Sequence, residues 1–122
     1  MRSLKVLAVF LCVIAMGCLA VAADQNLGIR DVARVTFVAP IRVGTVLLPA
    51  GDYLVRHTME SQDHVMLFES VKTKQVMARA KCTLVALSGK ASQSHTAYQM
   101  NAANERVLQE LVFRGDTAKH VF

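Results

Sequence analysis

From Val76 to Ala86 every second residue is small or apolar: Val76, Ala78, Ala80, Cys82, Leu84 and Ala86, with Met77, Arg79, Lys81 and Thr83 between them. A helix groups residues three and four apart, so a period of two specifies a strand with one face on a core. The alternation extends from Gln75 to Leu87, well beyond a usual strand of roughly five to six residues. A bend or bulge is therefore expected within it.

The neighbouring sequence has the same character, with short β-branched runs set apart by turn residues. In Val32-Ala33-Arg34-Val35-Thr36-Phe37-Val38, Val35 and Phe37 alternate with Arg34 and Thr36, and Pro40, with no amide to donate, ends the ladder. Ile41–Val43 and Val46–Leu48 read as two short strands around Gly44. Tyr53 to Met59 places Tyr53, Val55 and His57 on one face and Leu54, Arg56 and Thr58 on the other. The polar run 60–63 closes a hairpin into His64–Glu69, and Lys72-Thr73-Lys74 makes the next turn. After a loop over 88–94, strands are expected near His95–Met100, Arg106–Arg114 and Lys119–Phe122. Ala102 to Leu111 also carries Ala, Glu, Leu and Gln in proportions that suit a helix. The fold class is all-β: a small antiparallel sandwich or partly closed barrel of about seven to nine strands.

Leu48-Pro49-Ala50-Gly51-Asp52-Tyr53 is the strongest turn signal in the chain. Pro49 presets its own φ, and Gly51 supplies a backbone that can take φ > 0, as a type I turn entering a bulge requires. Pro49, Ala50, Gly51 and Tyr53 are thus structural turn residues, with Tyr53 anchoring the turn to the core.

Ahead of this domain lies a leader. Arg2 and Lys5 give a basic start, Val6 to Ala23 carries no charge, and the stretch ends in small residues before Asp24. That order is the signature of a secretory signal peptide. Ala20-Val21-Ala22 and Val21-Ala22-Ala23 are the two candidate cleavage triplets, which puts the cut beside Ala20, Ala22 or Ala23. Residues 1–23 are read as a cleaved signal helix, 24–31 as a linker and 32–122 as one β domain. Two alternatives keep the chain on a membrane. Residues 6–23, uncleaved, reach the lower limit of a bilayer span. Ala15-Met16-Gly17-Cys18 resembles a lipoprotein box that would acylate Cys18, although Ala15 replaces the usual Leu or Val and the following residues stay apolar. The expected location is exported, periplasmic or extracellular.

Export changes the composition that matters. The 122 residues carry 14 basic and 9 acidic side chains for a net charge of +5, but Arg2 and Lys5 leave with the leader. The remaining basic residues are scattered rather than striped, which argues against a nucleic-acid partner. Cys12 and Cys18 also leave, so Cys82 alone stays and no intramolecular disulfide is available. A small buried thiol is the expected state.

The constellations that carry chemistry are sparse. His57, His64, His95 and His120 lie on separate expected strands, and none has a His, Cys, Asp or Glu two residues away. On spacing alone no metal site is expected, since zinc needs three or four convergent ligands. There is no Gly-x-Ser-x-Gly elbow and no Gly-rich phosphate cradle, so no catalytic residue and no cofactor is assigned. With no Trp and two Tyr, a carbohydrate platform is not supported.

Val35-Thr36-Phe37, Pro40 to Gly44 and Val46 to Tyr53 resemble a set of small secreted bacterial β-proteins, of acidobacterial type, that share a VTF…P…V…LPAG-x-Y opening. His64-Val65-Met66-Leu67-Phe68, Val76-Met77-Ala78, Leu111-Val112-Phe113 and His120-Val121-Phe122 are similar to their later blocks. Val71-Lys72-Thr73-Lys74 departs from them, replacing an Ala-Asp-Gly-type turn. The resemblance implies a compact β-fold; the group has no assigned activity, so no functional residue carries over. The reading is an exported, non-enzymatic interaction or structural module of the cell envelope, whose partner is an envelope or extracellular protein met through an edge strand. A carrier of a small apolar ligand is the alternative, and a hydrolase-type enzyme comes third.

Overall fold

The structure, a computed structural model, describes Ile29 and residues 31–122. The expected signal helix, its cleavage region at Ala20, Ala22 and Ala23, Cys18 and most of the linker lie outside the described residues.

Nine strands follow one another: β1 (Val32–Phe37), β2 (Ile41–Val43), β3 (Val46–Leu48), β4 (Gly51–Glu60), β5 (Asp63–Ser70), β6 (Val76–Ala86), β7 (His95–Met100), β8 (Arg106–Val112) and β9 (Ala118–Val121). They form a single sheet in the order β1-β4-β5-β6-β9-β8-β2-β3, with β7 paired to β8, and the sheet does not close into a barrel. Every pairing is antiparallel except β2 with β8, where Ile41 lies opposite Arg106 and Arg42 opposite Val107.

The short β2–β3 hairpin turns on Gly44, whose φ is 59°. A positive φ at the first of two loop residues is the II′ geometry that matches strand twist. The glycine is also needed for space, because an added Cβ would meet the Arg79 carbonyl oxygen of β6 at 3.3 Å. Nearby, the Arg42 guanidinium grips Glu105 with two bonds, Nε to Oε1 at 3.1 Å and Nη2 to Oε2 at 2.8 Å. This fork holds the Glu105 carboxyl below its ordinary range, with help from a hydrogen bond from Asn101. It fixes the start of β8 against β2 where the parallel pairing begins.

The alternating stretch of β6 divides its partners. Residues 76–82 pair with β5, and Thr83 onward pairs with β9. An irregularity falls inside the strand as well: Phe68 faces Ala78 but Glu69 faces Val76, which leaves Met77 as the extra residue. The inward row is consequently shorter than the sequence pattern. Ala78 and Cys82 are buried, whereas Val76, beyond the bulge, is 54% exposed.

A second bulge lies in β8, within the stretch whose Ala, Glu, Leu and Gln content suits a helix. Leu108 and Leu111 are both buried although three apart, a spacing that puts residues on opposite faces of a regular strand. Ala97 pairs with Glu110 but Tyr98 with Leu108, so Gln109 is the extra residue that returns the second leucine to the inner face. The stretch whose composition suits a helix is thus a turn followed by a bulged strand.

The turn at Val71-Lys72-Thr73-Lys74 closes by a Lys74 amide to Ser70 carbonyl bond of 2.8 Å, with Lys74 at φ 59°. One core cluster joins the two ends of the sheet: Val35, Phe37, Tyr53, Val55, Met66 and Phe68 from one half meet Ile41, Val43, Leu48, Leu108, Leu111 and Phe113 from the other. The halves thus pack as two layers over one interior. No helix among the described residues is long and apolar enough to cross a membrane.

Candidate functional site

The inner faces of β4, β5 and β6 change composition along their length. Beside the β3–β4 connection, Tyr53 and Val55 of β4 face Phe68 and Met66 of β5 and Ala78 of β6, all of them in the core cluster. Two residues further along β4 and β5, and four along β6 beyond Ala80, the same face presents His57, His64 and Cys82. Register brings them together: His64 lies directly opposite Cys82, and His57, paired with Met66, is diagonal to His64. Diagonal neighbours on one face are within reach of long or aromatic side chains. His120 of β9 completes the group, since it pairs with Leu84, the inward residue that follows Cys82 on β6.

Nε2 of His57 and Nδ1 of His64 are 2.9 Å apart, and the two rings stack with centroids 5.0 Å apart. The His120 ring is 5.6 Å from that of His57 and 5.8 Å from that of Phe113. Its Nδ1 lies 3.9 Å from the Cys82 sulfur. One ligand atom each from His57, Cys82 and His120 falls within a 4.8 Å span. His120 is completely buried, and its Nε2 has no hydrogen-bond partner among the described residues. Such an orphan costs roughly 1–3 kcal/mol in an apolar interior. His57 and His64 are half-buried and mark the side from which the cluster meets solvent.

Burial sets the protonation of the group. It pulls His120 down to about 4, with the charges of His57 and His64 adding to the effect. Burial and then the His64 charge lower His57 as well, while Asp31, facing it from the preceding segment, acts in the opposite sense. The Cys82 thiol is pushed up to about 11 by burial. At neutral pH His120 is a neutral imidazole and Cys82 a protonated thiol. That leaves a lone pair on the imidazole for a Lewis acid, and it makes Cys82 a poor nucleophile until something displaces its proton.

The separation of the four histidines onto different strands is correct, but three of them meet. Spacing along the sequence reads ligand pairs within a strand, whereas these residues meet across strands. The usable signal was parity: His57 shares the face of Tyr53 and Val55, and Cys82 that of Ala78. Pairing β4 with β5 through the 60–63 turn then brings His64 to the same end. The fourth histidine, His95, is exposed on β7.

The turn residues sit at the opposite end of β4. Tyr53 is buried, and its hydroxyl donates to the Pro49 carbonyl at 2.6 Å, so it secures the turn it follows. Gly51 has φ 153°, and a Cβ there would meet nothing within 4 Å, so backbone freedom rather than space calls for glycine. Pro49 and Ala50 lead from β3 into β4, which are not neighbours in the sheet. A surface cleft of about 420 Å³ lies between this turn and the β5–β6 turn, with Tyr53, Val71 and Met77 among its walls.

Comparison with protein-family models, curated proteins and solved structures finds no match.

Proposed function

We propose that the protein is an exported, non-catalytic binding module of the cell envelope that meets a protein partner through an edge strand. The observation that carries this reading is β7. It has one strand neighbour among the described residues, and it presents Tyr98 and Met100, each nearly half exposed. Arg106 lies over the Tyr98 ring at 4.6 Å and stiffens it. A free strand edge offers main-chain bonds to an incoming strand, and rigid aromatic side chains give such contacts their specificity.

The chemistry of the interior supports a non-catalytic role. The cluster histidines have each other and Cys82 as close partners, and the thiol stays protonated. Such a group can hold a ligand but lacks an activated nucleophile. The basic-apolar-small leader supports export.

The test is a photo-crosslinking residue at position 98, compared with one at exposed position 90, in cells making the full chain. A discrete adduct with an envelope protein from position 98 alone is expected. Equal adducts from both positions, or retention of the chain in the cytoplasm, would overturn the reading. The 420 Å³ cleft at the Pro49–Tyr53 turn favours a second reading, a carrier of a small apolar ligand, because its size falls within the range of ligand pockets.

A further inference from the structure

We propose that His57, His64, Cys82 and His120 form a four-ligand site for a single divalent zinc ion. This goes beyond the edge-strand reading and does not depend on it.

The first ground is donor chemistry. Three imidazoles and a thiolate are nitrogen and sulfur ligands of the kind zinc takes, four in number for a closed tetrahedral site. Oxygen-seeking ions such as calcium or magnesium are not served by this set. The second is distance. With Zn–N near 2.0–2.1 Å and Zn–S near 2.3 Å, tetrahedral geometry separates two nitrogens by about 3.3 Å and a nitrogen from sulfur by about 3.5 Å. The observed His57–His64 separation is 2.9 Å and the His120–Cys82 separation 3.9 Å. Ligand atoms of His57, Cys82 and His120 already lie within 4.8 Å of one another, and inward shifts of about 1 Å, with His64 turning in beside His57, would bring the four donors to tetrahedral separations.

Burial points the same way, independently of the cluster's proximity. His120 is fully buried with Nε2 unpartnered, yet an apolar side chain at that position would carry no such penalty. Four chain segments place polar donors inward at one end of a largely apolar core cluster. An ion accounts for that choice. Binding forms a metal–sulfur bond and breaks the S–H bond of Cys82, whose proton leaves to solvent. Each imidazole ligates through the ring nitrogen that carries no proton. The half-buried His57 and His64 provide the way in.

The experiment is titration of the reduced, metal-free protein with Zn²⁺, and with Co²⁺ as a spectroscopic probe. One equivalent should bind, with submicromolar affinity for zinc. The cobalt form should show tetrahedral ligand-field bands together with a thiolate charge-transfer band. Cys82→Ser should remove the charge-transfer band. His57→Gln and His64→Gln, at half-buried positions that can change without opening the core, should each weaken zinc at least tenfold, and His95→Gln should leave it unchanged. Zinc should also slow alkylation of Cys82 in the unaltered protein, a readout that needs no variant to fold. Absence of a one-to-one complex would overturn the proposal. So would affinity that survives the His57 and His64 changes, or cobalt spectra without a sulfur band.

Discussion

The two ends of the interior are built on the same strands and by opposite chemistry. At one end Phe37 packs against Tyr53 and Phe68, with ring centroids 5.7 and 6.4 Å apart. At the other, two residues beyond Val55 on β4 and Met66 on β5 and four beyond Ala78 on β6, the inward positions are imidazoles and a thiol. The apolar end gains from every group removed from water. The histidine end buries polar atoms and leaves one of them without a partner. The difference teaches that stability and ligand chemistry occupy separate halves of one core, and that the second half is carried by the first.

The largest expected break in this contrast is Phe68→Ala. Phe68 has no exposed surface and touches both the Phe37 and Phe122 rings. Its loss should cost about 3–5 kcal/mol, the range for an aromatic side chain deleted from a packed core. Urea unfolding at pH 7 measures this directly, and a loss below about 1 kcal/mol would mean that the apolar end does not carry the fold.

Acid should act on the other end. His120 is held near 4 in the folded protein, against an ordinary value of about 6.5 in the unfolded chain. Between those values the unfolded state binds the proton that the folded state refuses, so stability falls as pH falls. The contribution is complete above about pH 6.5 and lost by about pH 4, and it amounts to roughly 3 kcal/mol or less. Asp52 and Glu105 sit below the ordinary carboxylate range, held by hydrogen bonds from Thr36 and Arg34 and from Arg42 and Asn101. Their contribution is present above the unfolded carboxylate values and lost only at lower pH. Between pH 6.5 and 4.5 these two pairs are therefore kept while the His120 contribution is lost. Unfolding of metal-free protein across that window should show the slope, and a flat profile would contradict burial of His120 as a neutral ring.

The strand arrangement was legible because alternation and turn residues are local: Val35 and Phe37, Tyr53 and Val55, and the Gly44 hairpin all follow from neighbours in sequence. The bulges were less so. The strand over Arg106–Arg114 was expected, but the extra residue at Gln109, which puts both Leu108 and Leu111 inside, shows only in the pairing with β7. The histidine cluster was the least legible part. No two of its members lie within six residues of each other, and the contacts depend on which strands pair and in what register. His64 meets Cys82 because β5 lies beside β6, and His120 arrives from a strand at the far end of the chain. Such a site is written in topology, which one-dimensional spacing does not contain.

The smallest expected change is also the sharpest test of the contrast. His120→Leu keeps a side chain of similar size while removing both ring nitrogens. It gives up the approach of Nδ1 to the Cys82 sulfur and the ring contacts with His57 and Phe113. In return it removes the unpartnered Nε2. Replacing a poorly satisfied polar group by an apolar one of the same shape is close to neutral or stabilising. At pH 7, metal-free protein should therefore change by no more than about 1 kcal/mol, in the stabilising direction. The advantage should widen on acidification, because leucine has no proton to accept and the slope between pH 6.5 and 4.5 should flatten. Urea unfolding of both proteins at pH 7 and pH 4.5 measures the two effects together. A variant that is clearly destabilised at both pH values would show that His120 belongs to the structural half of the core. The expected result, unchanged or greater stability with the acid sensitivity reduced, would place it with the residues kept for what they bind.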